Sequence, residues 1–264
     1  MTLPAGSPFD LSGRVALITG GNGGIGLGMA EGLAAHGADI AIWGTNPDKN
    51  DAAIERLGRH DVELLSIVCD VGDEQAVVQA MSDTVDELGR IDAAFVNAGV
   101  GGRASSFVDM SDDEWRRVMR VNLDGAFYTC REATKHMAAR RAGGDESGGS
   151  IVVTTSGSAY FGQQSGQHYG ASKAGVISMM RAIAVQHARD GIRANAILPG
   201  WIESDMTESL FEYERFVDRV LPRVPMRRWG KADDFAGLAV YLASPASSYH
   251  TGDVITIDGG YHSF

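Results

Sequence analysis

Short runs of apolar and β-branched residues alternate along the chain with longer stretches in which apolar residues return every three or four positions. The runs are RVALIT (14–19), ADIAIW (38–43), VELLSIV (62–68), IDAAFV (91–96), SIVVTT (150–155), IRANAIL (192–198) and DVITI (253–257). They predict seven strands, and the stretches between them, such as GGIGLGMAEGLAAH and GDEQAVVQAMSDTVDEL, predict amphipathic helices. The strands are nearly wholly apolar rather than alternating, so both faces of the sheet must be covered. That condition is met by a parallel sheet held between two helical layers. The pattern predicts an α/β architecture: a doubly wound seven-stranded parallel sheet flanked by helices, forming a single domain over residues 1–264.

Two stretches break the alternation. Residues 140–149 (RRAGGDESGG) are polar and glycine-rich and read as a mobile surface loop with no assigned function. Residues 204–230 begin helically (SDMTESLFEYERFVDRVL) and then meet Pro222 and Pro225, which predicts a short helical flap that closes over a substrate.

Composition narrows the partners. Of the 264 residues, 44% are hydrophobic and 22% charged, close to the average for globular proteins. The formal net charge of −11 repels phosphate backbones and anionic membranes, which argues against nucleic acid and membrane partners. The start, MTLPAGSPFDLSGR, has no basic, apolar leader pattern, and no run of about 18 apolar residues follows, so a cytoplasmic location is expected. Cys69 and Cys130 each sit in an apolar run, too few and too far apart for a disulfide framework or a zinc site, and read as core thiols.

Thr19-Gly20-Gly21-Asn22-Gly23-Gly24-Ile25-Gly26 follows the first strand and opens into a helix. Strand, glycine turn and helix in that order form a phosphate cradle: backbone N–H groups without Cβ atoms in the way, beside the positive end of a helix dipole. Gly20, Gly24 and Gly26 give that access, with Ile25 packed beneath the ligand. The context points to a dinucleotide and hence to a Rossmann fold.

The TGxxxGxG spacing resembles the short-chain dehydrogenase/reductase family. Further motifs matching that family fall in its order: Asp70 after the third strand, Asn97-Ala98-Gly99 after the fourth, Asn122 in a helix, Ser156, Tyr169-x-x-x-Lys173, and Pro199-Gly200 after the sixth. Together they span almost the whole chain. Overall similarity is greatest to the branch holding gluconate and deoxygluconate dehydrogenases, glucose dehydrogenases and 3-oxoacyl-carrier-protein reductases.

Tyr169 and Lys173 stand four apart on a helix, so they share a face. A free tyrosine has a pKa of about 10, and an ammonium beside it would stabilise the phenolate and lower that value, suiting Tyr169 to acid/base work. Ser156 lies at the carboxyl edge of the sheet, where open α/β folds bind ligands, and can hold a substrate oxygen. Ser158 and Thr155 compete with it by proximity; the family's spacing selects Ser156. No nearby His–Asp arrangement marks Ser156 as a nucleophile. His168, at a helix start, reads as a solvated side chain. Asn122 lies inside a predicted helix where asparagine is mildly unfavourable, and the resemblance places it in a water-linked proton relay to Lys173.

The resemblance implies catalysis by Ser156, Tyr169, Lys173 and Asn122. It implies dinucleotide contacts from Gly20, Asn22, Gly24, Ile25, Gly26, Thr45, Asn46, Asp70, Val71, Asn97, Ala98, Gly99, Tyr169, Lys173, Pro199, Gly200 and Ile202, with Lys173 on the nicotinamide ribose and Asp70 on the adenine. Asn97 equally fits a turn-forming residue that supports the cofactor loop. No metal is called for. The cofactor is NAD(P), leaning to NADP: Gly44 stands where NAD-preferring relatives carry an acid, and Thr45 and Asn46 can donate to a 2′-phosphate, although the usual basic residues are missing at Gly23 and Thr45.

Substrate contacts are expected from Gly101 to Phe107, Gly157 to Gln167 and Trp201 to Ser204, and from Leu210, Phe211, Tyr213 and Phe216. The substrate class is a secondary alcohol or ketone: a sugar, sugar acid, polyol or small carbonyl compound. A 3-oxoacyl-carrier-protein reductase is the alternative; its acidic partner would need a basic face, for which Arg116, Arg117, Arg120, Arg140 and Arg141 are candidates. A non-catalytic dinucleotide-binding sensor or scaffold is the alternative of another class, disfavoured by retention of the whole catalytic set. The resemblance implies a homotetramer, with symmetric interfaces formed, as in relatives, by the C-terminal DVITIDGGYHSF segment and the long helices around 112–138 and 168–189.

Overall fold

Each of the seven apolar runs forms a strand in the computed structural model, which describes residues 6–102, 104 and 106–263. The strands are β1 (Val15–Thr19), β2 (Asp39–Gly44), β3 (Leu64–Val68), β4 (Ala93–Val96), β5 (Gly149–Thr154), β6 (Ile192–Pro199) and β7 (Val254–Ile257). All pair in parallel, in the order β3-β2-β1-β4-β5-β6-β7. The order reverses between β1 and β4, and at such a switch point the loops at the carboxyl ends diverge and leave a crevice.

Neighbouring strand residues feed opposite layers. Leu17, Trp43, Val96 and Ile151 point into one core with Val77 and Met81 of α3 (Glu74–Leu88), Cys130 and Met137 of α5 (Gly125–Ala142), and Met180 of α6 (Gln167–Gln186). Ile18, Ile42, Phe95 and Val152 point into the other with Met29 and Leu33 of α1 (Gly24–Ala35), Leu57 of α2 (Pro47–Leu57), and Leu242 of α9 (Ala236–Ala243). Each such side chain, fully buried, contributes on the order of 2 kcal/mol. Cys69 and Cys130 are buried, and desolvation pushes their thiols up to about 11 and about 12, which keeps them inert.

Helix starts follow local chemistry. Asn46 caps α2 by accepting from Lys49 N at 3.1 Å, with Pro47 at the first helical position, and Asp73 caps α3 through Gln75 N and Ala76 N. One predicted helix is not continuous. Between α4 (Asp112–Met119) and α5, residues Arg120–Asp124 form a π-helical turn that holds Asn122.

Segment 140–149 departs from the expectation of a mobile loop. Arg140 belongs to the last turn of α5, is only 13% exposed, and pairs with Asp92 at 2.9 Å and Asp145 at 2.7 Å. Arg90 pairs with the same two carboxylates. Ser147 and Arg140 together hold the Asp145 carboxyl far below the usual range. The glycines turn the chain, but a partly buried charge network centred on Asp92 pins the corner to the amino ends of β4 and β5.

The stretch after β6 is helical in two pieces, α7 (Glu208–Phe211) and α8 (Glu214–Val220), separated at Glu212–Tyr213 and followed by a 3-10 turn, Leu221–Arg223, that contains Pro222. None of the residues in these three elements is fully buried.

Candidate active site

Parallel pairing brings the carboxyl ends of β1, β4, β5 and β6 to one edge, and the glycine turn, Asn97–Gly99, Ser156 and Pro199–Gly200 stand at those ends. At β1 the glycine turn is packed too closely for side chains at Gly20, Gly21 and Gly26. A Cβ on Gly26 would lie 2.1 Å from Gly20 O, and one on Gly20 would lie 3.1 Å from Ala98 Cα. Gly20 (φ 64°) and Gly24 (φ 48°) are also in the left-handed region that favours glycine. Asn97 is the tie behind the turn: its Nδ2 donates to Thr19 O (3.2 Å) and Gly20 O (3.3 Å), and its Oδ1 accepts from Thr154 Oγ1. Both Asn97 N and Ala98 N donate to Thr19 Oγ1. Asn97 thus fastens three strand ends together beneath the crevice.

Four polar groups meet above β4 and β5. Lys173 is buried on α6, and its Nζ donates to Thr154 O at 2.8 Å. Its ammonium lies 5.7 Å from the ring centre of Tyr169. Asn122 is buried in the π-turn; its Oδ1 accepts from Val100 N (2.8 Å) and its Nδ2 donates to Val100 O (2.9 Å) and Ser172 Oγ (3.3 Å). A Cβ on Gly99 would sit 3.2 Å from Asn122 Oδ1 and 3.4 Å from Lys173 Nζ, so Gly99 lies between them. The extra residue of a π-turn rotates the side chain out of helical register, and such turns are frequent at functional sites. Ser156 caps the 3-10 turn Gly157–Ala159, and its Oγ accepts from Ser158 Oγ at 2.8 Å. Thr155 drops out as a competitor, because its hydroxyl is buried and donates to Lys173 O.

The electrostatics differ from the sequence expectation. Burial raises the Tyr169 hydroxyl above its ordinary value, only partly offset by its hydrogen bond with Ser156. Burial lowers Lys173 to about 8. Desolvation disfavours both charged forms and outweighs any help the ammonium gives the phenolate across the ring face. At neutral pH the tyrosine is therefore a phenol with a proton to give.

On the adenosine side, Asn22 and Gly44 explain each other. Asn22 Nδ2 donates to Asn50 Oδ1 at 2.7 Å, and a Cβ on Gly44 would lie 2.1 Å from that same Nδ2. The space an acidic residue would need at the end of β2 is filled by Asn22. Thr45 and Asn46 are exposed, although the Asn46 oxygen is occupied as the α2 cap. Asp70 accepts from Gly72 N and Arg120 Nη1, both at 2.9 Å. The side chains of Val71 and Ile202 belong to the two cores, and Ile25 packs against one of them, so Val71 and Ile202 offer the crevice mainly backbone. Pro199 ends β6 and Gly200 N donates to Ile257 O at 2.8 Å.

Of two histidines near the site, one reads from the sequence as solvated and the other is not singled out by it. His168 is not solvated: it is fully buried, its Nε2 lies 3.0 Å from Glu114 Oε1, and Gly102 packs against its ring. Glu114 also pairs with Arg117, which donates to Gly101 O. This chain of contacts joins α4, the loop after β4 and the residue next to Tyr169. The second is His262, whose Nδ1 contacts Asp258 Oδ2 at 2.8 Å and whose ring stacks on Phe161 at 5.1 Å. Its Nε2 edge abuts Gly157, where a Cβ would lie 2.0 Å away, so a His–Asp pair does stand near Ser156. The sequence signals were the i, i+4 spacing of Asp258 and His262 and the glycines that make room for each ring.

Of the expected substrate contacts, Phe211 stacks on Trp229 (4.2 Å, 4°) and Phe216 meets Trp201 edge-on (4.9 Å). Leu210 and Tyr213 are exposed. Within 101–107, Arg103 and Ser105 lie outside the described residues.

The comparisons with known proteins agree with this geometry. A family model described as Enoyl-(Acyl carrier protein) reductase matches residues 20–262. A sorbose reductase of Schizosaccharomyces pombe is 36% identical, covering 97% of this chain and 99% of its own. A 3-oxoacyl-[acyl-carrier-protein] reductase of Chlamydia pneumoniae is 35% identical, covering 96% and 98%. The solved structure of a gluconate 5-dehydrogenase from Burkholderia cenocepacia, in complex with NADP and tartrate, superposes with a TM-score of 0.90 at 34% identity, covering 97% and 98%. With matches of this extent running through the glycine turn, Ser156 and the Tyr169–Lys173 pair, the chain belongs to the short-chain dehydrogenase/reductase family.

Proposed function

We propose that the protein is an NADP-dependent oxidoreductase that interconverts a ketone and a secondary alcohol on a sugar, sugar acid or polyol. The observation that carries this is the meeting of Ser156, Tyr169, Lys173 and Asn122 at the sheet edge beside a glycine turn with no room for side chains at Gly20, Gly21 and Gly26. That turn fits a dinucleotide, since its glycines leave backbone N–H groups open to a pyrophosphate at the α1 amino end.

A bound nicotinamide supplies or accepts the hydride. The chain's own residues handle the oxygen. Ser156 and the Tyr169 hydroxyl hydrogen-bond the substrate oxygen from one side and orient it. In the reductive direction Tyr169 gives its proton to that oxygen, and its raised pKa keeps the proton available at neutral pH. Lys173, held by Thr154 O, binds the ribose hydroxyls and supports the tyrosinate that remains, while Asn122 completes the route by which Tyr169 is reprotonated.

NADP is favoured over NAD because Asn22 fills the place of an acidic residue at the end of β2, and the similar gluconate 5-dehydrogenase structure carries NADP. Among relatives, a ketose reductase and a gluconate dehydrogenase favour a hydroxylated substrate. The alternative of an acyl-carrier-protein substrate has a weaker basic face than the sequence offers: Arg117 pairs with Glu114, Arg120 with Asp70, Arg140 with Asp92 and Asp145, and Arg141 with Glu146, while Arg116 has no ion pair among the described residues. Residues 204–230 serve as the substrate flap of a single cofactor-binding domain.

We place the enzyme in the cytoplasm as a homotetramer. No described helix is long and apolar enough to cross a membrane, and Trp115 and Phe127 expose apolar surface on α4 and α5. Light scattering checks the assembly. The activity is tested by following NADPH consumption at neutral pH with ketoses, keto sugar acids and a 3-oxoacyl carrier thioester. Turnover on the hydroxylated compounds supports the proposal; turnover on the thioester alone, or none on any carbonyl compound, overturns it.

A further inference from the structure

The corner after β2 lacks the basic residues usual for a 2′-phosphate, since Gly23 and Thr45 carry no charge. The fold brings a cation to that corner from elsewhere. Lys49 is the third residue of α2, and its backbone N–H is the one capped by Asn46. Helix side chains lean toward the helix amino end, which carries the ammonium back toward Thr45 and Asn46. There it pairs with Asp205, 156 positions further along the chain at the foot of the flap.

That partner fixes where the ammonium stands. Ser204, next to Asp205, lies against the glycine turn: a Cβ on Gly24 would be 3.4 Å from Ser204 Cβ. The Lys49–Asp205 pair therefore spans from the β2–α2 corner to a segment that overlies the phosphate cradle, across the adenosine side of the crevice. Both side chains are exposed, 53% and 83%, so the pair stabilises the fold little and is easily exchanged. A phosphate ester dianion carries more charge than a carboxylate and offers three acceptor oxygens, so it competes well for an ammonium.

We infer that Lys49 is the cation that recognises the 2′-phosphate of NADP and that Asp205 is the counter-ion it exchanges for that phosphate. Asp205 then sets the preference between the two dinucleotides: it neutralises Lys49 when no 2′-phosphate is present and must release Lys49 when one arrives. This rests on the dinucleotide-dependent function proposed above.

The test is equilibrium titration of NADPH and NADH by protein fluorescence with wild type, Lys49→Ala, Lys49→Arg, Asp205→Asn and the double variant Lys49→Ala/Asp205→Asn. Both positions are on the surface, so thermal unfolding should match wild type. Lys49→Ala is expected to weaken NADPH at least tenfold and NADH less than twofold, with Lys49→Arg retaining most of the NADPH affinity. Asp205→Asn is expected to tighten NADPH severalfold with NADH unmoved, and the gain should vanish in the double variant. Equal weakening of both dinucleotides by Lys49→Ala, or no weakening, overturns the inference. Wild type that binds NADH but not NADPH also overturns it while leaving the oxidoreductase proposal standing, whereas wild type that binds neither removes the proposal itself.

Discussion

Below the crevice, three polar side chains at the carboxyl edge of the sheet are tied to backbone: Asn122 to Val100, Lys173 to Thr154, Asn97 to Thr19 and Gly20. Above it, Phe211 and Phe216, on short helices with no fully buried residue, and Trp201 and Trp229, in the loops on either side, hold one another by ring contacts at 4.2 to 6.3 Å. The difference separates two tasks. Positioned hydrogen-bonding groups in a desolvated pocket lower the barrier of a fixed reaction, because they need no reorganisation as charge develops. Ring contacts are weakly directional and can rearrange around different molecules, so they select what is admitted. Changes below should therefore alter the rate with every substrate, and changes above should alter KM with some substrates only.

The largest effect short of removing the acid itself is expected from Ser156→Ala, with kcat lowered on the order of 10² to 10³ for all substrates and NADPH affinity unchanged, measured by steady-state kinetics and fluorescence titration. Gly26→Ala places a Cβ against Gly20 O, so the turn must open. A stability loss of about 1–3 kcal/mol, seen in denaturant midpoints, and at least tenfold weaker NADPH binding are expected.

Lys173→Met separates stability from activity. A lysine held at about 8 in the folded chain and near 10.5 unfolded binds fewer protons folded than unfolded between those values, so its burden on stability is full below pH 8 and fades as pH rises to 10.5. That burden is on the order of 3 kcal/mol, reduced by about 1 for the lost bond to Thr154 O. Lys173→Met should thus unfold at a higher temperature than wild type at pH 7, by roughly 5 °C, with the gap closing toward pH 10 and activity lost. A lower melting temperature at pH 7 would refute the burial account.

His168→Asn tests the tie between the helix that carries Tyr169 and the loop after β4, an expected substrate contact. It removes the contact to Glu114 beneath the loop after β4, and a KM rise of about tenfold with kcat nearly kept would mark it as a positioning residue. The smallest effect is expected from Phe211→Ala, a severalfold KM change that differs between a ketose and an apolar ketone, while a uniform fall in kcat would erase the distinction between floor and rim.

The same division governs what could be read before folding. The seven strands were legible as unbroken apolar runs, which burial on both faces explains for β1, β2, β4, β5 and β6 but not for the half-exposed edge strands β3 and β7, and the glycine turn because backbone access requires glycine at fixed spacing. Ser156, Tyr169 and Lys173 were legible as a motif, but their electrostatics were not. Proximity of Lys173 to Tyr169 suggested a lowered tyrosine, and only the fold shows the desolvation that reverses the sign. The π-turn at Asn122 leaves helical periodicity almost intact and so reads as helix. His168, His262 and the Lys49–Asp205 pair each gain their meaning from a partner distant in sequence or from packing against a glycine. The segment 140–149 misleads for the same reason, since its composition is that of a loose loop and its order comes from Asp92 and Arg90.

The central claim, that the buried Tyr169 hydroxyl is the acid/base group of a dinucleotide-dependent oxidoreductase, is tested most directly by Tyr169→Phe, comparing NADPH binding with turnover on the best ketone found for wild type. Affinity within twofold of wild type together with turnover reduced on the order of 10³ or more is the predicted result. Turnover equal to wild type would contradict the account.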